Sequence, residues 1–222
     1  MNVPGSHQLS RSGGYHPCAD GLSRCPPGHH IVNHSRRLSQ AISEGDGISL
    51  LVPVEDADGA RTAEQDGAEG IVVSRAVDGI REATGLPILS RSDVRTLSDG
   101  TSLDACVLRA DSDEDALREL YARLYQLGLE PVIGVRDDEQ LGLVLEELDP
   151  EILLLSPQDE DEDPLEQVLD LLPDVPAGKL AIAEVQIRSR NDVDALERAG
   201  VDAVIVERAD VSRLVGEAPP EV

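Results

Sequence analysis

Residues 179–208 read KLAIAEVQIRSRNDVDALERAGVDAVIVER. This stretch starts with an apolar run at residues 180–183, passes through a polar turn into apolar residues at helical spacing, and returns to an apolar run at residues 203–206. Gly200 stands between the helical part and the second run, where a glycine commonly ends a helix. Two buried strands joined by a helix form a parallel βαβ unit, so the stretch predicts strand, helix and strand.

The same alternation fills most of the chain. Strands are predicted at residues 48–54, 70–73, 87–89, 105–108, 131–135, 151–155, 180–183 and 203–206. Helices are predicted at residues 57–67, 77–84, 114–127, 139–148, 164–172, 191–199 and 211–215, with a vestigial helix at 93–99. Strict alternation indicates a parallel sheet, and eight repeats indicate an α/β fold closed into a (β/α)8 barrel, the TIM barrel. An open doubly wound sheet is the alternative, but it does not account for the eighth strand.

Length and composition set limits on this barrel. The chain has 222 residues, whereas such barrels typically have about 250, so the barrel must be trimmed. With no Phe, no Trp and three Tyr, its core must consist of Leu, Val, Ile and Ala, as in strands covered on both faces. No run of about 18 apolar residues is present, so no membrane span is expected.

Residues 1–38 differ from the rest of the chain, residues 39–222. They contain all five histidines and two of the three cysteines, with many Gly, Ser and Pro and no apolar periodicity, which predicts a disordered tail. Cys18, Cys25, His29 or His30, and His34 offer four ligands for zinc, although their spacing matches no established zinc finger. We favour the disordered tail.

The charge and the residue inventory exclude several functions. A net charge of −25 disfavours nucleic acid and anionic membranes as partners. Residues 39–222 contain no histidine, which removes Ser-His-Asp, Cys-His and histidine–metal chemistry, and no nucleotide-binding glycine motif is present. Cys106 lies in an apolar run and is expected in the core, so three cysteines in a chain of this length suggest a reducing cytoplasm. We expect no cofactor and no metal.

Four segments resemble indole-3-glycerol-phosphate synthase, a (β/α)8-barrel lyase (a carboxy-lyase) of tryptophan biosynthesis. They are RRLSQAISEGDGISLLV (36–52), GLPILSRSD (85–93), LGLEPVIGVRDDEQLGLVLE (127–146) and residues 179–208, and the resemblance covers about residues 39–208. It implies a site in the loops after the carboxyl ends of the strands.

By this resemblance, few of the family's catalytic residues are kept in this chain. The family's glutamate after the seventh strand is kept as Glu184, but its catalytic lysine after the third strand aligns with Arg91. Arginine stays protonated at any working pH, so it can bind an anion but is a very poor proton donor. The family's other catalytic and phosphate-binding positions are also altered, and they fall on Pro53, Glu55, Gly134, Ser156, Pro157, Gln186 and Glu207.

Six arginines stand at or just beyond the ends of predicted strands: Arg75, Arg91, Arg109, Arg136, Arg188 and Arg208. Glu55, Glu184 and Glu207 lie on the same rim. One interpretation is a pocket for an anionic ligand, lined by guanidinium groups. The other, which we favour, is a network of ion pairs that closes an unused mouth.

The sequence therefore suggests a catalytically degenerate homologue, a pseudoenzyme. It would serve as a structural or interaction module with a protein partner, or bind an anionic small molecule. The alternative is an active synthase or a related carbon–carbon lyase, with Glu184 as general base and Arg91 as an anion clamp. The oligomeric state stays open.

Overall fold

Eight parallel strands close into a barrel in chain order, and β8 pairs with β1. The computed structural model describes residues 36–45, 47–98, 102–111, 113–156, 163–207 and 210–214. The strands are β1 (Ser49–Pro53), β2 (Gly70–Val73), β3 (Ile88–Ser90), β4 (Ala105–Arg109), β5 (Glu130–Val135), β6 (Ile152–Leu155), β7 (Leu180–Ala183) and β8 (Ala203–Ile205). The predicted (β/α)8 barrel is confirmed, and each predicted strand lies within one residue of an observed one at both ends.

The helices between the strands follow the predicted pattern. They are α1 (Arg37–Glu44), α2 (Ala57–Gln65), α3 (Ile80–Ala83), α4 (Glu114–Gln126), α5 (Asp138–Glu147), α6 (Pro164–Leu171), α7 (Arg190–Ala199) and α8 (Val211–Leu214). Helix α3 is a single turn and starts three residues later than predicted, because Gly79 just before it has a left-handed φ of 70°. The vestigial segment after β3 is a 3₁₀ turn at Val94–Thr96.

Strand alternation divides the apolar residues into two groups. One group fills the barrel interior, and the other packs between the strands and the surrounding helices. Leu51, Val72, Leu89, Leu154 and Ile182 belong to the interior group. Both groups are built from Leu, Ile, Val and Ala with one cysteine, as the composition predicted.

Helix α1 was not predicted, and it packs against the amino-terminal end of the barrel interior. Leu38 and Ile42, one helical turn apart, are buried among the interior residues. No local side chain caps α1; instead Glu130, at the start of β5, accepts hydrogen bonds from the backbone amides of Leu38 (2.7 Å) and Ser39 (3.1 Å). The predicted boundary at residue 39 is therefore corrected here: Arg37 and Leu38 belong to α1, because Leu38 anchors its apolar face.

Two further predictions concern the tail and the membrane. Residues 1–35, including the zinc alternative at Cys18, Cys25, His29, His30 and His34, lie outside the described residues. Within the described ranges, no helix is long and apolar enough to cross a membrane. The same ranges contain no group of three or more His, Cys, Asp or Glu side chains arranged to hold a metal ion.

Cys106 lies on β4 and is fully buried against the helices, as predicted. Burial, helped by the nearby carboxylate of Asp93, raises the pKa of the Cys106 thiol to about 12. At about pH 8 only about one thiol in ten thousand is then ionised, so iodoacetamide should leave Cys106 unmodified in the native protein. Peptide mass mapping after alkylation, with and without guanidinium chloride, tests this. Complete modification of native Cys106 within minutes would contradict the burial.

Candidate functional site

The inward-facing residues at the carboxyl ends of the strands form one layer at the barrel mouth. Each stands two positions beyond an interior residue such as Leu89, Leu154 or Ile182. Because every second residue of a strand faces the same side, these residues also face the barrel interior. The residues of this layer are Pro53, Arg91, Arg109, Gly134, Ser156, Glu184 and Glu207. These positions include some of those at which the sequence analysis expected catalytic residues, but not Glu55 or Pro157.

An ion pair between Arg91 and Glu184 spans this layer. Nη2 of Arg91 lies 2.5 Å from Oε1 of Glu184, and both side chains are about one-quarter exposed. Backbone hydrogen bonds fix both residues, because the Arg91 amide donates to Val73 O (2.8 Å) and the Glu184 amide donates to Leu155 O (2.9 Å). The carboxylate of Glu184 is thus held beside a permanent cation.

The mouth layer also contains most of the unsatisfied polar atoms. Four buried side-chain nitrogen and oxygen atoms of the described residues have no hydrogen bond, and three are Nε and Nη2 of Arg91 and Oγ of Ser156. Nη2 contacts Glu184 without the alignment of a hydrogen bond. The fourth atom, Oγ of Ser49, lies at the opposite end of the barrel. A buried donor without a partner costs about 1–3 kcal/mol, so this cluster calls for a ligand or ordered water.

A cavity of about 420 Å³ opens beside the ion pair, on the side of β7 and β8. Its apolar wall consists of Pro53, Val185, Ile187, Ile205 and Val206, and its polar wall of Arg91, Glu184, Gln186, Glu207 and Asp210. One guanidinium group therefore faces three carboxyl groups.

The loop after β7 uses its backbone amides internally. Asp192 accepts hydrogen bonds from the amides of Arg188 (2.8 Å) and Ser189 (2.9 Å) and from Oγ of Ser189, as part of a capping box on α7. These bonds lower the pKa of the Asp192 carboxyl, the amide of Arg188 contributing most. The two amides are consequently not free to bind a phosphate.

Of the predicted rim residues that the structure describes, three line the cavity: Arg91, Glu184 and Glu207. Arg136 pairs with Asp111 (3.5 Å) and Arg188 with Asp163 (3.1 Å), both away from the cavity lining. Arg75, Arg109 and Glu55 make no ion pair or side-chain hydrogen bond with another described residue, and Arg208 lies outside the described residues. Ligand binding by Arg75, Arg109, Arg136, Arg188, Arg208 and Glu55 stays a prediction.

Sequence reasoning missed one polar wall residue and the apolar wall. Asp210 immediately precedes α8, and it lies beyond the strand end, where the alternation of β8 no longer predicts which residues face the mouth. The alternation of inward and outward residues along β8 predicts that Ile205 faces the interior. Val185 and Ile187 lie in an irregular loop after β7, where no such alternation applies.

No family profile matches the chain. The chain is 30% identical to the indole-3-glycerol phosphate synthase of Geobacillus kaustophilus, over 71% of this chain and 72% of that protein. It is 26% identical to the indole-3-glycerol phosphate synthase of Lachnospira eligens, over 84% and 73%. Among solved structures, the N-acetylmannosamine-6-phosphate 2-epimerase of Clostridium perfringens shares the fold, with a TM-score of 0.58 and 16% identity over 85% of this chain and 93% of that one. By its sequence relatives and its barrel, the chain belongs to the indole-3-glycerol phosphate synthase family.

Proposed function

We propose that this family member binds a small ligand bearing a carboxylate or similar anionic group at the barrel mouth, and that it does not catalyse the synthase reaction. The observation that carries the proposal is the group of unsatisfied donors in one layer: Nε and Nη2 of Arg91 and Oγ of Ser156. All three can donate to oxygen. Nε and Nη2 form one edge of the guanidinium group, which matches the two oxygens of a carboxylate.

The residues at the mouth support the loss of catalysis. A guanidinium group stays protonated at any working pH, so Arg91 cannot replace a lysine as general acid. The carboxylate of Glu184 is already held in an ion pair with Arg91, 2.5 Å away. Neither residue is then available for the proton transfers of the reaction.

The alternative is an active synthase or a related lyase, with Glu184 as general base and Arg91 as anion clamp. Family membership and the retained Glu184 favour it. Substrate binding would have to draw Arg91 away from Glu184, which would free the carboxylate to accept a proton.

The experiment that separates the two is formation of indole-glycerol phosphate from the phosphorylated anthranilate substrate, followed by product fluorescence. Wild type, Glu184→Gln and the Geobacillus kaustophilus relative are assayed side by side, and the absence of Trp keeps the background low. We expect no turnover above background from either form of this chain. Turnover by wild type that disappears in Glu184→Gln would establish the alternative.

The proposal extends to partners and location. The charge of −25 supports a protein or small-molecule partner over nucleic acid or an anionic membrane. A thiol buried unpaired in the core is compatible with the reducing cytoplasm that we infer.

A further inference from the structure

The cavity carries more negative than positive charge. Arg91 is its one cationic wall residue, against Glu184, Glu207 and Asp210. A phosphate dianion held on Arg91 would lie close to all three carboxylates, and charges of one sign at such distances repel strongly in a partly buried site. A ligand with a single negative charge and a positive charge of its own fits this wall better.

The negative charge of the ligand has a defined position at the guanidinium group of Arg91. The Nε–Nη2 edge of Arg91 is buried and lacks hydrogen bonds. These donors suit one carboxylate.

The position for the positive charge follows from the ion pair. A ligand carboxylate on the Nε–Nη2 edge of Arg91 would displace the carboxylate of Glu184, which now lies 2.5 Å from Nη2. Glu184 would then need another cation within reach. An ammonium group one carbon away from the ligand carboxylate would supply it, so Arg91 and Glu184 would each regain a partner.

The remaining wall is apolar. Val185, Ile187 and Ile205 are each more than nine-tenths buried and line the cavity. Side chains of this kind favour an apolar ligand body, since they cannot satisfy polar groups.

Building on the proposed function, we propose that the cavity binds a zwitterion of the α-amino-acid type with an apolar side chain and no phosphate. Its carboxylate lies on Arg91, and its ammonium lies against Glu184 and Glu207.

Isothermal titration calorimetry on the full chain tests this with matched probes. The probes are L-leucine, L-methionine and L-phenylalanine, the deaminated carboxylate and decarboxylated amine of each, and inorganic phosphate. We expect at least one amino acid to bind about tenfold more tightly than both of its analogues and than phosphate. The inference is overturned if no amino acid binds, if an analogue binds as tightly as its amino acid, or if phosphate binds more tightly.

Variants assign each charge to a wall residue. Glu207→Gln should weaken amino-acid binding about fivefold but should not weaken binding of the deaminated analogue, because only the ammonium is attracted to that carboxylate. Glu119→Gln, an exposed residue of α4, is the charge-matched control and should change neither. Arg91→Gln should weaken both ligands. Equal effects of Glu207→Gln and Glu119→Gln on amino-acid binding would contradict the ammonium position.

The outcomes also separate this inference from the proposed function. If the deaminated carboxylates bind as tightly as the amino acids and lose binding in Arg91→Gln, the anion site stands and the zwitterion is wrong. If no probe with a carboxylate or phosphate binds, both are wrong.

Discussion

Replacing Asp104 with alanine is expected to lower the free energy of unfolding by about 3 kcal/mol. Asp104 immediately precedes β4 and is 5% exposed. Its carboxylate accepts a hydrogen bond from the amide of Ile88 (2.8 Å) and pairs with Arg37 (3.4 Å) and Arg81. The variant would leave the Ile88 amide without an acceptor and two guanidinium groups without their counter-charge. One side chain thereby ties α1, α3 and β3 to the start of β4.

Urea unfolding followed by far-ultraviolet circular dichroism measures this loss, since the chain has no Trp. Asp104→Asn keeps an acceptor for the Ile88 amide and removes the charge, so it should lose roughly half as much stability as the alanine variant. Asp174→Ala removes an exposed carboxylate and serves as the control, with a change within about 0.5 kcal/mol. A loss no larger for Asp104→Ala than for this control would show that the contacts of Asp104 with Ile88, Arg37 and Arg81 contribute nothing to stability.

The strands were predictable because their signal is local. A parallel strand covered on both faces is a continuous apolar run, and residues such as those of β7 and β8 carry that run in their own sequence. Helix α1 was missed because its buried face consists of Leu38 and Ile42 alone, and its cap comes from Glu130, 92 residues from Leu38. Contacts of that sequence separation leave no periodicity to read.

The site was predictable to the extent that strand phase fixes it. Arg91 directly follows β3 and Glu184 directly follows β7, so the alternation of the strands still directs both inward, and their pairing across the mouth follows. Arg188 lies farther into its loop, where no alternation holds, and there it pairs with Asp163. Rim position alone therefore overestimated how many arginines reach one cavity.

Glu130→Ala is expected to cost about 2 kcal/mol of unfolding free energy, chiefly by releasing α1. The carboxylate, 7% exposed, is the acceptor for the amides of Leu38 and Ser39, and alanine would leave both without a partner at the barrel base. Urea unfolding gives the total loss, and hydrogen exchange locates it. The amides of α1 should lose protection while those of β5 and β6 keep theirs. Uniform loss over the barrel, or none, would contradict a capping role.

The pH dependence of the same residue has a defined sign. Burial raises the pKa of the Glu130 carboxyl above its ordinary value, outweighing the hydrogen bonds from Ser39 and Leu38, and Glu151 nearby raises it further. The folded chain thus binds this proton more tightly than the unfolded chain, so the contribution of Glu130 to stability falls as pH rises through its folded-state pKa. Glu130→Gln, which stays neutral, lacks this dependence. From about pH 5 to about pH 8, the stability of wild type relative to Glu130→Gln should therefore decrease. An increase over that range would mean that the helix amides favour the ionised carboxylate more than burial disfavours it.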